Sequence, residues 1–552
     1  MWSRSTIVVV FLSLALAVPH ASLADEIDAA LQSIQPQAIH AHMAFLADDL
    51  LEGRGTGSRG YLLAAKYVAS QYEHMGLAPA GDDGYLQWME LRQTRQVADA
   101  CRLTLLGAPG EKPLAYAEDF LMNGDAVREH SEGEADLVYV GFGVRAPEIG
   151  YDDYAGVDVR GKIVVMLRGA PPTFPHNERA YFASGRIKRE TAVAQGALGI
   201  VTFLTPEDAA RRPWAKSVVN AQIASMRTLG ADGEPLDVSP QIQVTASLSQ
   251  AGAEAFFADA SSNLDGVYAA AAEGKPHSFS LARRLRFARR SRHATVRSCN
   301  VAGLLEGSDP QLKHETVVFT AHLAHLGVGE AVDGDAIYNG AFDNASGTSV
   351  LLEVARAFRT LPRAPRRSVL FLAVTGEEKG LLGTSFFTAN PTVPLAGVVA
   401  NVNLDMFLML HPLRDIIAFG EEHSTLTQPV RRAAERLGFE VTPDPMPAEV
   451  IFVRSDQYEF VRRGIPAVFL VAGFKGHQPG MVSGETWLRD IYHTQKDDMS
   501  QHMDLESGVL FARANLLIGW DVANDDARPR WNEGDFFGER FGRDKNGRAG
   551  AR

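Results

Sequence analysis

At 552 residues the chain exceeds what a single hydrophobic core usually serves, since cores stop growing near ~250–300 residues, so more than one domain is expected. A hydrophobic fraction of 46% allows full cores, and a net charge of −13 leaves no electrostatic footprint for a nucleic-acid partner. With only Cys101 and Cys299 present, thiolate zinc sites and cysteine nucleophiles are not expected; the two can pair in an oxidising compartment or remain buried thiols.

In chain order, Arg4 followed by the apolar run Thr6 to Val18 and the small residues Ser22-Leu23-Ala24 reads as a secretory leader, residues 1–24. The run is too short to span a bilayer, which takes about 20 apolar residues, and no other long apolar stretch follows, so an exported chain without a membrane span is expected. Residues 25–132 form the first part of the main domain. Within them two helical patterns, HMAFLADDLL and YLLAAKYVASQYEHMG, flank the turn GRGTGSRG. Residues 133–275 change character, with strands DLVYVGFG, KIVVMLRG and LGIVTFL around the helix KRETAVAQGA, and read as a β-rich insert. In LARRLRFARRSR, Leu285 and Phe287 alternate with Arg284 and Arg286, as on a half-exposed strand with a solvated face.

Residues 276–527 return to the main domain. The β-branched runs VVFTAH, SVLFLAVTGEE, VVANVNLDM and IPAVFLVAG alternate with helical patterns over Ala345 to Phe358, over Thr425 to Leu437 before Gly438, and from near Ser455. Such alternation predicts an α/β fold, a mostly parallel sheet covered on both faces by helices. Residues 528–552 form a tail that opens on Trp531, Phe536 and Phe537 and ends in ten residues of low apolar content, expected to be disordered.

Chemistry concentrates where these strands end. TAHLAHLG, GAFDNASG, VTGEEKG, NVNLDM and YHTQKD supply His322, Asp343, Glu377, Glu378, Asp405 and His493. In open α/β sheets ligands bind beyond the carboxyl ends of the strands. Zinc prefers imidazole nitrogen and carboxylate oxygen, and two ions need a shared carboxylate. Two His, two terminal carboxylates and one bridge satisfy that need. Glu377 is left over beside a ligand, where a general base belongs.

These segments, in this order, resemble the co-catalytic zinc aminopeptidases, relatives of glutamate carboxypeptidase and the transferrin receptor, over Ile39 to Trp520. The resemblance implies two Zn2+ ions and a peptide substrate. His322 and Asp405 would hold one ion, Glu378 and His493 the other, and Asp343 would bridge. It makes Glu377 the base and Tyr492 the hydrogen-bond donor to the oxyanion. It also likens VDVRGKIVVMLRG and AVAQGALGIV to the protease-associated domain that exported relatives carry as an insert. The family's Asp two residues after the first His is replaced by Ala324, which removes the carboxylate that orients the imidazole and raises its basicity. His325 is given no ligand role. Ser455 and Asp456 are expected to form a helix N-cap network, with Gln457 standing where the family has His. A one-zinc glutaminyl cyclase of the same fold and a metal-free, receptor-like binding protein are the other readings.

Overall fold

The computed structural model describes residues 23–542. Nearly all of the expected leader, residues 1–22, and the last ten residues of the tail lie outside them. Four strands, Thr316–His322, Ser368–Val374, Val398–Asn403 and Ala467–Ala472, run parallel in the spatial order 368–374, 316–322, 398–403, 467–472. They are almost wholly apolar and buried because helices cover both faces. One face packs on Pro36–Leu46, Ser346–Thr360, Thr427–Leu437 and Leu505–Asn524. The other meets Phe387 and Phe460, from the short helices Leu382–Ala389 and Gln457–Val461. On one side Asp415–Phe419 adds antiparallel to Ala467–Ala472 and is followed by Glu440–Val441, and on the other Phe279–Leu305 adds antiparallel to Ser368–Val374. The predicted α/β fold is thus observed, and Gly438 caps its helix at φ 76° as its position demands.

Phe279–Leu305 joins the two units. Its second half pairs with Leu86–Gln96 in the main sheet, while residues 279–290 pair with Arg102–Leu106 and His130–Tyr139 in the sheet of the insert. That sheet continues through Ile163–Leu167, Gly199–Phe203, Val244–Leu248 and Phe120–Met122, around a second aromatic core containing Phe203, Phe257 and Phe287, which extends to Phe419 and Phe469 of the main domain. Sheet pairing therefore carries the inserted unit back to Arg102 and forward to Arg290, beyond the expected 133–275. The added strands are three to five residues long or belong to a continuous run, so no change of periodicity marks them.

The arginine run behaves as read. Arg284 and Arg286 are exposed and pair across the sheet with Asp136, Glu134 and Glu111, while Arg283 and Arg289 turn inward to Asp259 and Asp125. The tail bridges the two units: Phe537 packs on His423, Phe452 and Tyr458 of the main domain, Phe541 on Tyr458 and on Tyr181 of the insert, and the Arg540 guanidinium lies 4.3 Å from the Tyr181 ring. Cys101 and Cys299 are buried in different units as free thiols. Among the described residues no helix is long and apolar enough to cross a membrane.

Candidate metal centre

His322 is the last residue of its strand, Asp405 lies two residues past Asn403, and Glu377 and Glu378 follow the turn after Val374. Parallel register puts His322 beside Val374 and Thr320 beside Asn403, so three strand ends deliver side chains to one point. Asp343 comes from the turn Ala341–Ala345 that opens the helix Ser346–Thr360, and His493 from a late loop, at φ 57°. All six positions expected from the sequence meet here, with Tyr492 at the rim.

Asp343 sits in the middle. Its Oδ1 lies 3.1 Å from His322 Nε2, and its Oδ2 lies 3.2 Å from His493 Nε2. His322 Nε2 is also 3.1 Å from Asp405 Oδ1, and His493 Nε2 is 2.9 Å from Glu378 Oε2. Two groups of donors therefore share one carboxylate. Asp343 Oδ2 and His493 Nε2 are buried without a hydrogen-bond partner, a costly arrangement for protein alone and the one a cation would relieve. A nitrogen and carboxylate-oxygen donor set fits zinc.

The electrostatics agree. Burial opposes charge on His493, but Glu378 and Asp343 outweigh it and raise the imidazole to about 9. His322 is likewise held well above its usual range, Asp405 and Asp343 overcoming burial. Despite burial and Asp343, the two imidazoles His493 and His325 draw Glu378 down to about 2. The pocket stabilises positive charge. Glu377 goes the other way: burial first, then Glu378 and Asp405, push its carboxyl well above the usual range against the pull of His322. Its carboxyl lines the cleft and has no side-chain hydrogen bond among the described residues. Burial, then Glu378 and Asp343, also keep the Tyr492 phenol protonated; its ring stacks on His493 at 3.7 Å.

Ala324 corrects an expectation. The acceptor thought lost with the family's aspartate is supplied by the main chain, for His322 Nδ1 lies 2.9 Å from the Ala324 carbonyl oxygen. An Nδ1–H donated there leaves Nε2 as the lone pair facing Asp343 and Asp405. The second correction concerns Ser455 and Asp456, which cap nothing. Ser455 Oγ donates to Asp405 Oδ2 at 2.5 Å, Thr384 Oγ1 donates to Asp456 Oδ1 at 2.5 Å, and Gln457 is buried between Asn403 and the Phe452 carbonyl. His325 is fully buried with Nδ1 2.8 Å from Glu378 Oε1, and with Asp343 and Glu378 it makes a second possible donor group.

Several supporting residues escaped the sequence. Asn344 donates to the carbonyls of Leu404 and His322 and accepts from the N–H groups of Gly347 and Met406. Asp497 accepts from the N–H groups of Phe342 and Asp343, each at 2.9 Å. Arg54 is buried and donates to the carbonyls of Leu46, Leu323, Asn339 and Gly340, tying together the segments that carry His322 and Asp343. Apart from Gly347 and Leu46, their partners are main-chain groups remote in sequence, which no spacing rule reveals.

Residues 300–516 match the model of Peptidase family M28. Aminopeptidase YwaD of Bacillus subtilis (strain 168) is 28% identical over 223 residues, 39% of this chain and 44% of that protein. A probable zinc metalloprotease of Pyricularia oryzae is 36% identical over 265 residues, 42% of this chain and 50% of that one, so the chain spans about half the length of these curated relatives. Among solved structures the aminopeptidase from Aneurinibacillus sp. strain AM-1 superposes with a TM-score of 0.54 at 18% identity over 91% of this chain and 97% of that one, a likeness of fold.

Proposed function

The region of residues 300–516 belongs to peptidase family M28, and on that premise we propose that the chain is an exported zinc-dependent aminopeptidase using two metal ions and Glu377 as general base. The observation that carries this reading is the placement of Asp343, one carboxylate oxygen toward each half of the donor set. His322, Asp405 and Asp343 would hold one zinc, and Glu378, His493 and Asp343 the other. His325 would orient Glu378 through Nδ1. The leader-like run Thr6 to Val18 and the absence of a membrane-length helix among the described residues accord with export.

Bound zinc supplies Lewis acidity toward a carbonyl oxygen and acidifies water toward a pKa of about 7. The remaining work belongs to side chains. Glu377, open to the cleft and raised by its neighbours, takes a proton from water and returns it to the leaving amine. The Tyr492 hydroxyl, protonated and without a hydrogen-bond partner among the described residues, donates toward charge developing on the carbonyl oxygen. The Ala324 carbonyl holds the His322 ring in its working tautomer.

Glu377→Gln tests the reading. It should keep the zinc content of the parent and lose about 10²–10⁴-fold in turnover of aminoacyl nitroanilides, while a chelator abolishes the parent's activity and zinc restores it. Near-parental turnover in the variant would remove Glu377 from the base role. Chelator-resistant hydrolysis would remove the metals.

A further inference from the structure

The metal centre opens into a cleft of about 930 Å³ whose opposite wall is built by the inserted unit. The two units lock together around it. Lys216 Nζ donates to the Tyr492 carbonyl, next to His493, and Arg212 pairs with Glu449 at 3.1 Å. The charge of this wall runs against that of the chain. The whole protein carries −13, yet outside the metal centre the cleft is lined by seven arginines and lysines against three carboxylates.

The excess is concentrated. Glu449 is shared by Arg212, Arg454 at 3.0 Å and Arg211 at 3.6 Å. Arg168 stands beside Arg212 and Arg454 with no ion pair or side-chain hydrogen bond among the described residues. Its side chain is open to the cleft yet walled by protein, and that enclosure, with the neighbouring guanidinium groups, presses its pKa down to about 10. Asp208 pulls the other way without forming an ion pair, so like charges predominate around this arginine in a concave site, an arrangement that favours an anion. The cluster is also near the chemistry, since Arg454 directly precedes Ser455, whose hydroxyl bonds Asp405.

A guanidinium fork matches a carboxylate, and peptides carry carboxylates at the C-terminus and on Asp and Glu. We propose that Arg168, with Arg212 and Arg454, forms a carboxylate subsite, so that the chain selects short peptides placing an anionic group in the cleft near the scissile bond. The catalytic consequence rests on the aminopeptidase reading; the binding consequence does not.

Three matched pairs separate the sources of the carboxylate: Ala-Ala against Ala-Ala-amide, Ala-Glu-amide against Ala-Gln-amide, and Glu-Ala-amide against Gln-Ala-amide. The full zinc-loaded chain is assayed for kcat/KM, and Glu377→Gln for equilibrium binding by calorimetry. At least one pair should favour the acid by about tenfold, the scale of one charge-assisted contact, and the preference should shrink as salt is raised. Arg168→Gln should bring that ratio toward one, mainly through KM, and Arg168→Lys should restore part of it. Arg168 has no internal partner to orphan; Arg454→Gln provides a second variant with the same expected direction. Ratios within twofold of one for all three pairs, or a preference untouched by Arg168→Gln, would overturn the subsite. Turnover without acid preference rejects the subsite and leaves the aminopeptidase standing. Acid-selective binding without turnover does the reverse.

Discussion

Asn344→Ala is the perturbation that most directly tests how the metal centre is held. The Asn344 side chain donates at 2.9 Å to the Leu404 carbonyl and at 3.3 Å to that of His322, and accepts at 2.9 Å from Gly347 N–H and 3.1 Å from Met406 N–H. Leu404 and Met406 flank Asp405, so one amide fastens the segments carrying His322 and Asp405, two of the proposed ligands, to the turn carrying Asp343, the third. Truncation orphans the buried Gly347 N–H and the part-buried Met406 N–H at about 1–3 kcal/mol each, a loss of about 4 kcal/mol in folding stability. Zinc affinity should also fall about 10–100-fold, as when a partner that orients ligands is removed. Chelator-competition titration and thermal unfolding read the two effects. Asn401→Ala is the control: it removes buried hydrogen bonds to Val318 and Thr320 in the same sheet and should lower stability while sparing zinc affinity. A zinc affinity in Asn344→Ala within about threefold of the parent, well short of that range, would show that the ligands hold their places without it.

Gly340 has φ 60°, and a Cβ there would meet His325 Cδ2 at 2.6 Å and collide with the Asp343 carbonyl oxygen. Gly340→Ala should therefore cost at least about 2 kcal/mol and weaken zinc binding together with stability; zinc titration and melting check both, and parental values would refute the tight fit. Lys188 is buried with Nζ donating to the Leu167 carbonyl, and desolvation lowers its pKa to about 7. The unfolded chain then holds a proton that the folded chain has released, so stability should climb from pH 7 toward about 10.4, the ordinary lysine value. Lys188→Met should raise the melting temperature at pH 7 and flatten that slope, and an unaltered slope would assign it to another group. Cys101 and Cys299 are free and buried, so intact mass should not change on reduction and alkylation should require denaturant; a two-dalton gain on reduction, the mass of two hydrogens, would reveal a bridge.

Most of the main domain was legible because its signals are local. A strand buried on both faces reads as an apolar run, as Val317, Val318, Phe319 and Ala321 do, and a helix lying on that sheet repeats its apolar face at Val350, Val354 and Phe358. Candidate ligands at the ends of such runs could be named because parallel strands finish on one edge. The limits of the insert were less legible, since its early strands are short and Phe279–Leu305 serves both sheets without a break.

Residue types and their order along the chain thus determined the sheet and singled out His322, Glu377, Glu378 and Asp405 as candidates just past strand ends, because periodicity and strand ends are properties of neighbouring residues; Asp343 and His493, expected at such ends too, instead come from a helix-opening turn and a late loop. Tertiary structure alone decided that the Ala324 carbonyl stands in for a missing carboxylate, that Asn344, Asp497 and Arg54 fasten the segments carrying His322, Asp343 and Asp405, and that Arg168 lines the same cleft as His322 and His493. Those contacts join groups that are distant in the chain or belong to the backbone. A hydrogen bond to a carbonyl carries no side-chain signature, and a charge on an inserted unit acquires its neighbours only when the two units close on each other.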